Sequence, residues 1–554
     1  MSEFSERFNL ARYLLEQNLA LRAEKVAVRS RRRSLRYREI DVESAKVQRL
    51  LEDLDLRPEQ RVLLVLPDVA EFVTAWLGVL KAGAVFAMVN PRLPEDDYRY
   101  YLDYSRAPVA FVGEGTLPAF VRAAKGARFL EHVVLVEDGT LEESADLAQE
   151  ARGLLKVWPL SAALHKYHET IAATSPAGQP FDTHRDDVAG WLFTSGTSGK
   201  PKAAIHFHQD FAFNIERYCK QVLNIRDSDV TMAVSKLFFG YATGTNLMFP
   251  FACGASTALF PERSTPEALV ENAREFHPTV LAAVPTTLNG VLQLRDDVVG
   301  DAFSRLRMVI SAGEALPAAL QKSFEQRFQV EILDGIGSAE MFHIYISNYP
   351  KEVRSGSLGR LVPGYECRIV GPTGEDAPPG EVGTLWIKGG STALGYFLDR
   401  DKSRATFHGD TAITGDLFRR DAEGWFYYEG RADDMLKVGG IFVSPREVEE
   451  CLLQHPAVRE CCVVGREDSA GLVTPFAYVV VHSGFKAGVP LCAELQAHVK
   501  SLLAAYKFPR AIEFLDALPR NDRGKIARAE LRDRQRARGE RSRSTSVIEE
   551  KAIS

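Results

Sequence analysis

The chain has 554 residues, a formal net charge of -6 and 45% hydrophobic residues. This length exceeds what a single hydrophobic core usually serves, so we predict a large domain and a smaller one. The nearly balanced charge argues against a nucleic-acid-binding protein, and we expect no nucleic-acid partner.

Neither a membrane segment nor a disulfide framework is predicted. The longest apolar stretch, residues 247–260, is interrupted by Pro250 and Gly254 and is shorter than the about 20 residues of a membrane-spanning helix. The first residues lack the basic head and apolar run of a secretory signal. Seven cysteines include no C-x-x-C pair, and the only close ones in sequence are Cys461 and Cys462. We therefore expect reduced thiols in a cytoplasmic protein without membrane attachment.

The first third of the chain predicts alternating helices and strands. Apolar residues recur with helical spacing at 10–21, 41–54 and 69–80, and short apolar runs at 62–66 and 84–89 predict strands. A strand, helix and strand in this order favour a parallel sheet with helices packed on it, an α/β fold. Further strands are predicted at 109–112, 133–136, 255–259, 280–284 and 308–311.

Later segments predict smaller units. From Gly356 onward, short strands alternate with Pro- and Gly-containing turns, which favours a small β subdomain. After residues 430–434 the pattern predicts an α+β unit of about a hundred residues, with helices at 444–455 and 494–503. We predict an N-terminal domain, a C-terminal domain and a polar, arginine-rich tail at 1–432, 433–535 and 536–554.

A glycine- and hydroxyl-rich loop follows the apolar run Trp191–Phe193, which predicts a short buried strand. The loop, T-S-G-T-S-G-K-P-K, spans Thr194 to Lys202. Glycine lets backbone N–H groups turn inward, and hydroxyls and ammonium groups donate to phosphate oxygens. A solvated surface turn is the alternative. The loop is not a P-loop, because Thr194 replaces the first glycine and Pro201 the Mg²⁺-binding hydroxyl.

The loop resembles the signature of the adenylate-forming (AMP-binding) superfamily, which includes acyl-CoA synthetases, firefly-type luciferases and peptide-synthetase adenylation domains. One departure is Ala203, where a glycine is common. The resemblance implies an acyl-CoA synthetase-like fold with a mobile C-terminal domain. It also implies that the triphosphate of ATP is bound by Thr194, Ser195, Gly196, Thr197, Ser198, Gly199 and Lys200.

Further segments match the superfamily in its order. By resemblance, Glu340 helps to hold Mg²⁺, and its carboxylate suits a hard cation that bridges phosphates. Asp416 in T-G-D matches the ribose site; an isolated T-G-D favours a turn, but its spacing before Gly430-Arg431 favours the ribose assignment. The other implied nucleotide-binding residues are Gly313, Glu314, Ala315, Asp334, Gly335, Ile336, Gly337, Ser338 and Arg431.

The C-terminal region resembles the superfamily's catalytic and hinge segments. Lys525 matches the catalytic lysine, and the chemistry supplies a reason, because a carboxylate that attacks a phosphate brings two anions together. Asp433 matches the hinge about which the C-terminal domain moves between half-reactions. Gly439 and Gly440 would then line a narrow channel for the pantetheine arm of CoA.

The predicted acid pocket is similar to that of benzoate-type aryl-CoA ligases, which act on benzoate, 2-aminobenzoate or 4-hydroxybenzoate. The resemblance lies in residues 238–244 and 342–344. No Asp occupies the wall where amino-acid adenylation domains pair an α-ammonium group, whereas a ring amine is uncharged near pH 7. Gly240 stands where related ligases often have Ala, and the missing methyl could admit a ring substituent. The implied acid-binding residues are Gly240, Tyr241, Ala312, Gly335 and His343.

The sequence thus favours an AMP-forming aryl-CoA ligase that uses ATP, Mg²⁺ and coenzyme A, as a monomer or homodimer. One alternative is an adenylation enzyme that loads a separate carrier protein. Another is a luciferase-like monooxygenase, and a third is a non-catalytic protein that binds nucleotide or acyl-adenylate. Zinc binding by His206 and His208 is conceivable but not expected, because no further ligand lies nearby in sequence.

Overall fold

The computed structural model describes residues 3–137, 156–165, 167, 179–195, 200–432, 434–438, 441–467, 473–504, 506–520 and 526–535. The chain divides into two compact units: Met1–Cys367 with Trp386–Ile413, and Arg368–Leu385 with Thr414–Ser554. The boundary at residues 432 and 433 stays a prediction. The predicted tail 536–554 lies outside the described residues.

The strands, in chain order, are β1 (Val26–Arg29), β2 (Leu35–Arg36), β3 (Arg61–Val65), β4 (Val85–Met88), β5 (Val109–Gly113), β6 (His132–Val136), β7 (Lys156–Pro159), β8 (Val188–Ser195), β9 (Pro201–Phe207), β10 (Val230–Ala233), β11 (Ser256–Ala258), β12 (Val280–Ala283), β13 (Met308–Ser311), β14 (Ile332–Gly337), β15 (Ile344–Ser347), β16 (Arg360–Leu361), β17 (Glu366–Val370), β18 (Gly383–Lys388), β19 (Phe407–His408), β20 (Thr411–Arg420), β21 (Phe426–Arg431), β22 (Leu436–Val438), β23 (Ile441–Val443), β24 (Val458–Glu467), β25 (Val473–Val481) and β26 (Ala511–Phe514).

The α-helices span Leu10–Arg22, Tyr37–Asp53, Ala70–Lys81, Glu95–Ser105, Leu117–Ala123, Leu160–His165, His208–Asn214, Gly240–Thr243, Phe249–Cys253, Pro266–Phe276, Pro285–Leu292, Asp296–Val299, Ala318–Phe328, Arg400–Thr406, Pro445–Leu453 and Val489–Leu502. The 3₁₀ helices span Glu114–Thr116 and Ala339–Met341, and the π-helices span Ile215–Leu223 and Gly244–Met248.

The first unit contains two large sheets. One has the strand order β7-β6-β5-β3-β4-β8-β9, in which the pairs are parallel except for the antiparallel pair β8–β9. The other has the order β16-β15-β14-β13-β12-β10-β11-β1-β2, and its strands from β14 to β1 are parallel. The predicted α/β architecture is confirmed. Parallel neighbours place the carboxyl ends of β10, β12, β13 and β14 at one edge, where the candidate site lies.

Local interactions explain where the helices begin. Residues 37–53 form a helix four residues earlier than the predicted range 41–54, because the Glu39 carboxylate accepts a hydrogen bond from the Arg36 backbone N–H at 2.7 Å. The helix Val489–Leu502 begins five residues before the predicted 494–503, since Pro490 is tolerated in a first turn. The predicted helix over 69–80 is confirmed as Ala70–Lys81.

The second unit has its own antiparallel and mixed sheets. The hairpin β20–β21 pairs Asp416 with Arg431, and β22 pairs with β23. Strands β24, β25 and β26 form a further sheet, with β24–β25 antiparallel and β25–β26 parallel, above a core that includes Val463, Val479 and Leu495. The α+β character predicted beyond residue 434 is confirmed. Among the described residues of the chain, no helix is both long and apolar enough to cross a membrane.

Candidate active site

The predicted phosphate loop connects two paired strands. Strand β8 extends two residues beyond the predicted end at Phe193, because Thr194 pairs with Lys202 and Ser195 with Pro201 of β9. Gly196, Thr197, Ser198 and Gly199 lie outside the described residues. The exposed Lys200 places its Nζ 5.3 Å from the centre of the Tyr100 ring. The described residues on either side of 196–199 therefore lie in paired strands.

Residues 394–397 run alongside β9 and bring a tyrosine to this loop. The Ile205 N–H donates to the Gly395 carbonyl at 3.0 Å, and the Phe397 N–H donates to the Ala203 carbonyl at 3.0 Å. The intervening Tyr396 ring lies 5.4 Å from the Lys202 Nζ. The ammonium group also pairs with Asp399 at 3.0 Å, so Lys202 is held between a ring and a carboxylate.

Glu340 lies in the 3₁₀ turn Ala339–Met341, which is fixed by neighbours on β9 and in residues 393–396. The Tyr396 hydroxyl donates to Oε1 of Glu340 at 2.7 Å, and the Ala393 N–H donates to the Glu340 carbonyl at 2.8 Å. The side chain of Glu340 is half-buried. The donor on this carboxylate is a phenol hydroxyl and not a cationic side chain, and the carboxylate oxygens fit Mg²⁺ chemically.

His206 and His208 both have structural partners. His206 has its Nε2 2.7 Å from the Ala339 carbonyl and its Nδ1 3.2 Å from the Asp210 carboxylate, which ties the turn before Glu340 to β9. The Nδ1 of His208 accepts a hydrogen bond from the Leu10 N–H at 3.1 Å. Burial lowers the pKa of His208 to about 3. His208 therefore stays neutral near pH 7.

The predicted nucleotide segment Asp334–Ser338 crosses a neighbouring strand too closely for side chains at two positions. A Cβ on Gly335 would lie 2.8 Å from the Ile346 carbonyl oxygen, and one on Gly337 would lie 2.5 Å from the His343 carbonyl oxygen. Glycine is therefore required at both. Asp334 is buried, whereas Ile336 and Ser338 are half-buried.

The segment 311–317 follows β13, and its acidic residue caps a helix. The Oε2 of Glu314 accepts from the Thr286 N–H at 3.0 Å and from its hydroxyl at 2.7 Å, in the first turn of Pro285–Leu292. Ala312 is buried and Ala315 is exposed. The backbone of Gly313 has a φ of 87°. The carboxylate of Glu314 thus has a structural role, and its contact with nucleotide stays a prediction.

The wall of the predicted acid pocket is a stacked, uncharged ring pair. The rings of Tyr241 and His343 have centroids 5.7 Å apart and planes inclined by 27°. His343 donates from Nε2 to the Tyr241 carbonyl at 3.0 Å, and the Tyr241 hydroxyl donates to the Ile310 carbonyl at 2.8 Å. Burial lowers the pKa of His343 to about 4, so the imidazole is neutral near pH 7.

A strained turn sets the direction of His343. Phe342 has φ 66° and ψ -57°, and the His343 N–H donates to the Met341 carbonyl at 2.8 Å. These values define a γ-turn with positive φ, a rare conformation for a residue with a side chain. The Phe342 ring packs edge-on against Phe211 at 4.7 Å, and this burial holds the turn in place.

In the second unit, the predicted ribose-binding residues contact each other across the β20–β21 hairpin. Nη1 of Arg431 lies 3.3 Å from Oδ1 of Asp416 and donates to the Thr414 carbonyl at 3.0 Å. The Asp416 N–H donates to the Thr414 hydroxyl at 3.1 Å. Asp416 is buried, so its carboxylate is fixed by the hairpin and by the guanidinium group.

Lys525, Asp433, Gly439 and Gly440 lie outside the described residues. The segment around Lys525 is flanked by an antiparallel bridge between Arg520 and Ile526. Asp434, next to the predicted hinge, pairs with Arg532 at 2.8 Å.

Sequence reasoning missed the residues that support the site. Tyr396 and Thr286 lie outside the motifs that carry functional side chains, and the motif at residues 342–344 does not reveal the γ-turn at Phe342. For His206, the H-x-H pattern drew attention to metal binding, whereas its ring bonds to Asp210 four residues later. The available signal was Asp210 in the first turn of the helix that begins at His208, where a carboxylate commonly accepts hydrogen bonds from the residues before the helix.

Comparisons with known proteins identify the family of the chain. Residues 15–397 match the model of the AMP-binding enzyme family, and residues 447–525 match its C-terminal domain. A benzoate–CoA ligase from Thauera aromatica is 40% identical over 530 residues, which cover 95% of this chain and 96% of that protein. An anthranilate CoA ligase crystallised in complex with anthranoyl-AMP is 36% identical with a TM-score of 0.88, over 97% of this chain and 99% of that one. A benzoate CoA ligase from Burkholderia xenovorans LB400 is 37% identical with a TM-score of 0.84, over 95% and 100% of the two chains. This chain therefore belongs to the AMP-binding enzyme family.

Proposed function

We propose that the chain is an AMP-forming aryl-CoA ligase. It activates a benzoate-like carboxylate with ATP to give acyl-AMP and pyrophosphate, and the CoA thiol then displaces AMP to form the thioester. The observation that carries this proposal is the uncharged ring pair of the half-buried Tyr241 and the buried His343 at the carboxyl edge of the parallel sheet. An apolar wall with two flat rings suits an aromatic acid.

Different residues would bind the triphosphate, the metal ion and the ribose of the nucleotide. The backbone and hydroxyls of residues 194–200 would receive the triphosphate. Glu340, held by Tyr396, would bind Mg²⁺, which neutralises phosphate charge when bound. The Asp416 carboxylate would accept hydrogen bonds from the ribose hydroxyls, while Arg431 fixes its orientation. Gly335 and Gly337 let this segment pack closely on the neighbouring strand, and the segment would then present its backbone to the adenylate.

The chemical step needs a positive charge where two anions meet. The Lys525 ammonium group would offset the repulsion between the aryl carboxylate and the α-phosphate as the new bond forms. In the second half-reaction, rotation about Asp433 would replace Lys525 by the segment that carries Gly439 and Gly440. Glycine would leave space for the pantetheine arm to bring its sulfur to the acyl carbon.

The side chains of this wall also indicate which class of acid the pocket would bind. Neither Tyr241 nor a neutral His343 offers a charge for the ammonium group of an α-amino acid. The Nδ1 of His343 is buried and has no hydrogen-bond partner among the described residues, while Nε2 is the donor to Tyr241. A ring N–H or O–H would satisfy this acceptor. We therefore propose benzoate or an amino- or hydroxybenzoate, with 2-aminobenzoate among the candidates.

We propose CoA as acceptor, a monomer or homodimer, and a cytoplasmic location. None of the seven cysteines, all of which lie among the described residues, forms a disulfide, as suits a reducing compartment. The alternative acceptor is the phosphopantetheine of a separate carrier protein. The same chemistry would serve it, because both acceptors present a thiol at the end of a pantetheine arm.

A screen of acids tests the proposal. Benzoate, 2-aminobenzoate, 4-hydroxybenzoate, acetate and phenylalanine are each supplied with ATP and Mg²⁺, with CoA, with a carrier protein, or with neither. We expect exchange of pyrophosphate into ATP with the aryl acids, and thioester formation with CoA. Absence of exchange with every aryl acid would contradict the proposal, and exchange followed by transfer to the carrier alone would establish the alternative.

A further inference from the structure

Two cysteines that are distant in sequence meet in the first unit. Sγ of Cys219 lies 3.5 Å from Sγ of Cys253, although they are 34 positions apart. Cys219 belongs to the π-helix Ile215–Leu223, and Cys253 is the last residue of the helix Phe249–Cys253. A disulfide has an S–S length of about 2.05 Å, so the two sulfurs need to approach by about 1.5 Å to form one.

The two thiols differ in ways that suit stepwise oxidation. Cys253 is partly exposed, whereas Cys219 is fully buried. A hydrogen bond from the Cys219 thiol, with help from the nearby Lys220 charge, lowers the pKa of Cys253. Burial raises the pKa of Cys219. An accessible sulfur with more thiolate character beside a buried thiol is the arrangement of a nucleophilic and a resolving cysteine.

The thiol pair lies directly behind the wall of the acid pocket. Sγ of Cys219 lies 3.8 Å from the Phe249 carbonyl oxygen, and the Phe249 ring lies edge-on to His343 at 4.8 Å. Tyr218, next to Cys219, has its ring 5.7 Å from that of His343. Each cysteine is therefore joined to His343 through a single aromatic residue on its own helix.

We propose that Cys219 and Cys253 form an oxidisable dithiol whose disulfide ties these two helices together and alters binding of the aryl acid. The oxidant is a peroxide. The Cys253 thiolate attacks one peroxide oxygen, the O–O bond breaks, and the departing hydroxide takes a proton to become water. The Cys219 sulfur then attacks the sulfur of the Cys253 sulfenic acid; the S–O bond breaks, and hydroxide leaves with the Cys219 proton as a second water. Two thiols are oxidised, and one peroxide is reduced to two waters.

Mass spectrometry of the full chain tests the modification without reference to activity. After hydrogen peroxide treatment, we expect loss of two hydrogens and, on non-reducing digestion with trypsin, a peptide that links Tyr218–Lys220 to Leu237–Arg263. Dithiothreitol restores the original mass. Cys253→Ser and Cys219→Ala should each abolish the cross-link, while Cys492→Ser, which removes another partly exposed thiol, should retain it. Sulfinic acid at Cys253 without the cross-link, or a cross-link elsewhere, would overturn the proposal.

The effect on the acid pocket rests on the proposed function and has its own readout. On oxidation, we expect the KM for the aryl acid that the enzyme activates to change at least threefold, with the KM for ATP unchanged. Dithiothreitol should restore the original KM. The Cys253→Ser variant should resist peroxide in the same assay. A cross-link with no change in KM would overturn the link to the pocket. A chain that forms the cross-link but activates no aryl acid would instead refute the proposed function.

Discussion

The Tyr396 hydroxyl donates a 2.7 Å hydrogen bond to Oε1 of Glu340, although the two residues are 56 positions apart in sequence. Tyr396 reaches this position because residues 394–397 are bonded to β9, the strand that follows the phosphate loop. The predicted Mg²⁺ carboxylate is thus oriented by the strand that also carries Lys202.

Replacement of Tyr396 by Phe tests this relationship. A hydrogen bond to a charged group contributes about 1.5–3 kcal/mol, so we expect the Mg²⁺ concentration for half-maximal pyrophosphate exchange to rise at least about tenfold. The KM for the aryl acid should stay near its original value, because the ring and its packing remain. Tyr167→Phe is the matched control, since Tyr167 donates to the Asp53 carboxylate, also at 2.7 Å. An unchanged Mg²⁺ requirement in Tyr396→Phe would refute the positioning role.

Gly240→Ala probes the space in the acid pocket. An added Cβ would lie 3.5 Å from Cδ1 of Leu192 and 3.6 Å from the Phe342 carbonyl, which is ordinary contact, so the variant should fold. The methyl occupies space next to the ring wall, and we expect kcat/KM for 2-aminobenzoate to fall about tenfold relative to benzoate, consistent with 1–3 kcal/mol for one methyl in a binding pocket. Gly371→Ala, whose Cβ would meet only the Glu375 carbonyl at 3.6 Å, is the control. Equal kcat/KM ratios in wild type and Gly240→Ala would show that this position does not select among ring substituents.

The sequence predicted the parallel sheets because buried strands and amphipathic helices leave local patterns. The strand predicted at 308–311 is β13, with the same bounds, and the helix predicted over 10–21 is Leu10–Arg22. The predicted and observed bounds of β8 differ because of pairing between residues that are distant in sequence. Strand β8 gains Thr194 and Ser195 because β9 returns beside it, and no property of residues 188–195 alone specifies that partner.

The supporting residues of the site could not be predicted for a related reason. Glu340 and His343 stand in recognisable segments, but Tyr396 acts across a gap that no local motif spans. The γ-turn at Phe342 is disfavoured by its own residue type and exists because tertiary packing outweighs that preference. Likewise, Cys219 and Cys253 become neighbours only when their helices pack.

The free energy of unfolding should depend on pH because the buried imidazole of His208 takes up a proton when the chain unfolds. The folded pKa is about 3 and the unfolded value is 6.5, so between these values the unfolded chain binds a proton that the folded chain does not. Stability is therefore complete above pH 6.5 and is lost as pH falls. We expect His208 to account for a loss of about 2 kcal/mol in the free energy of unfolding between pH 7.5 and pH 5.

Urea unfolding of His208→Asn at the two pH values measures this contribution. The Asn carbonyl can accept from the Leu10 N–H but does not titrate, so the loss between pH 7.5 and pH 5 should be smaller by about 2 kcal/mol. His165→Asn removes an exposed imidazole and is the control. A variant with the same pH dependence as wild type would show that His208 is protonated in the folded chain.

Lys525→Ala separates the two half-reactions. A unit charge about 4 Å from the reacting anions contributes about 4 kcal/mol at an effective dielectric constant of 20, so acyl-AMP formation should slow by about a thousandfold. Thioester formation from supplied benzoyl-AMP and CoA should proceed within about threefold of wild type, because in that step the thiol attacks the acyl carbon and no carboxylate approaches the phosphate. Lys486→Ala, at an exposed position, is the control for loss of a lysine from the second unit. Since the hinge proposal requires Lys525 to leave before the thiol arrives, an equal slowing of both half-reactions would refute the assigned role of Lys525 and, with it, the separation of the two steps by rotation about Asp433.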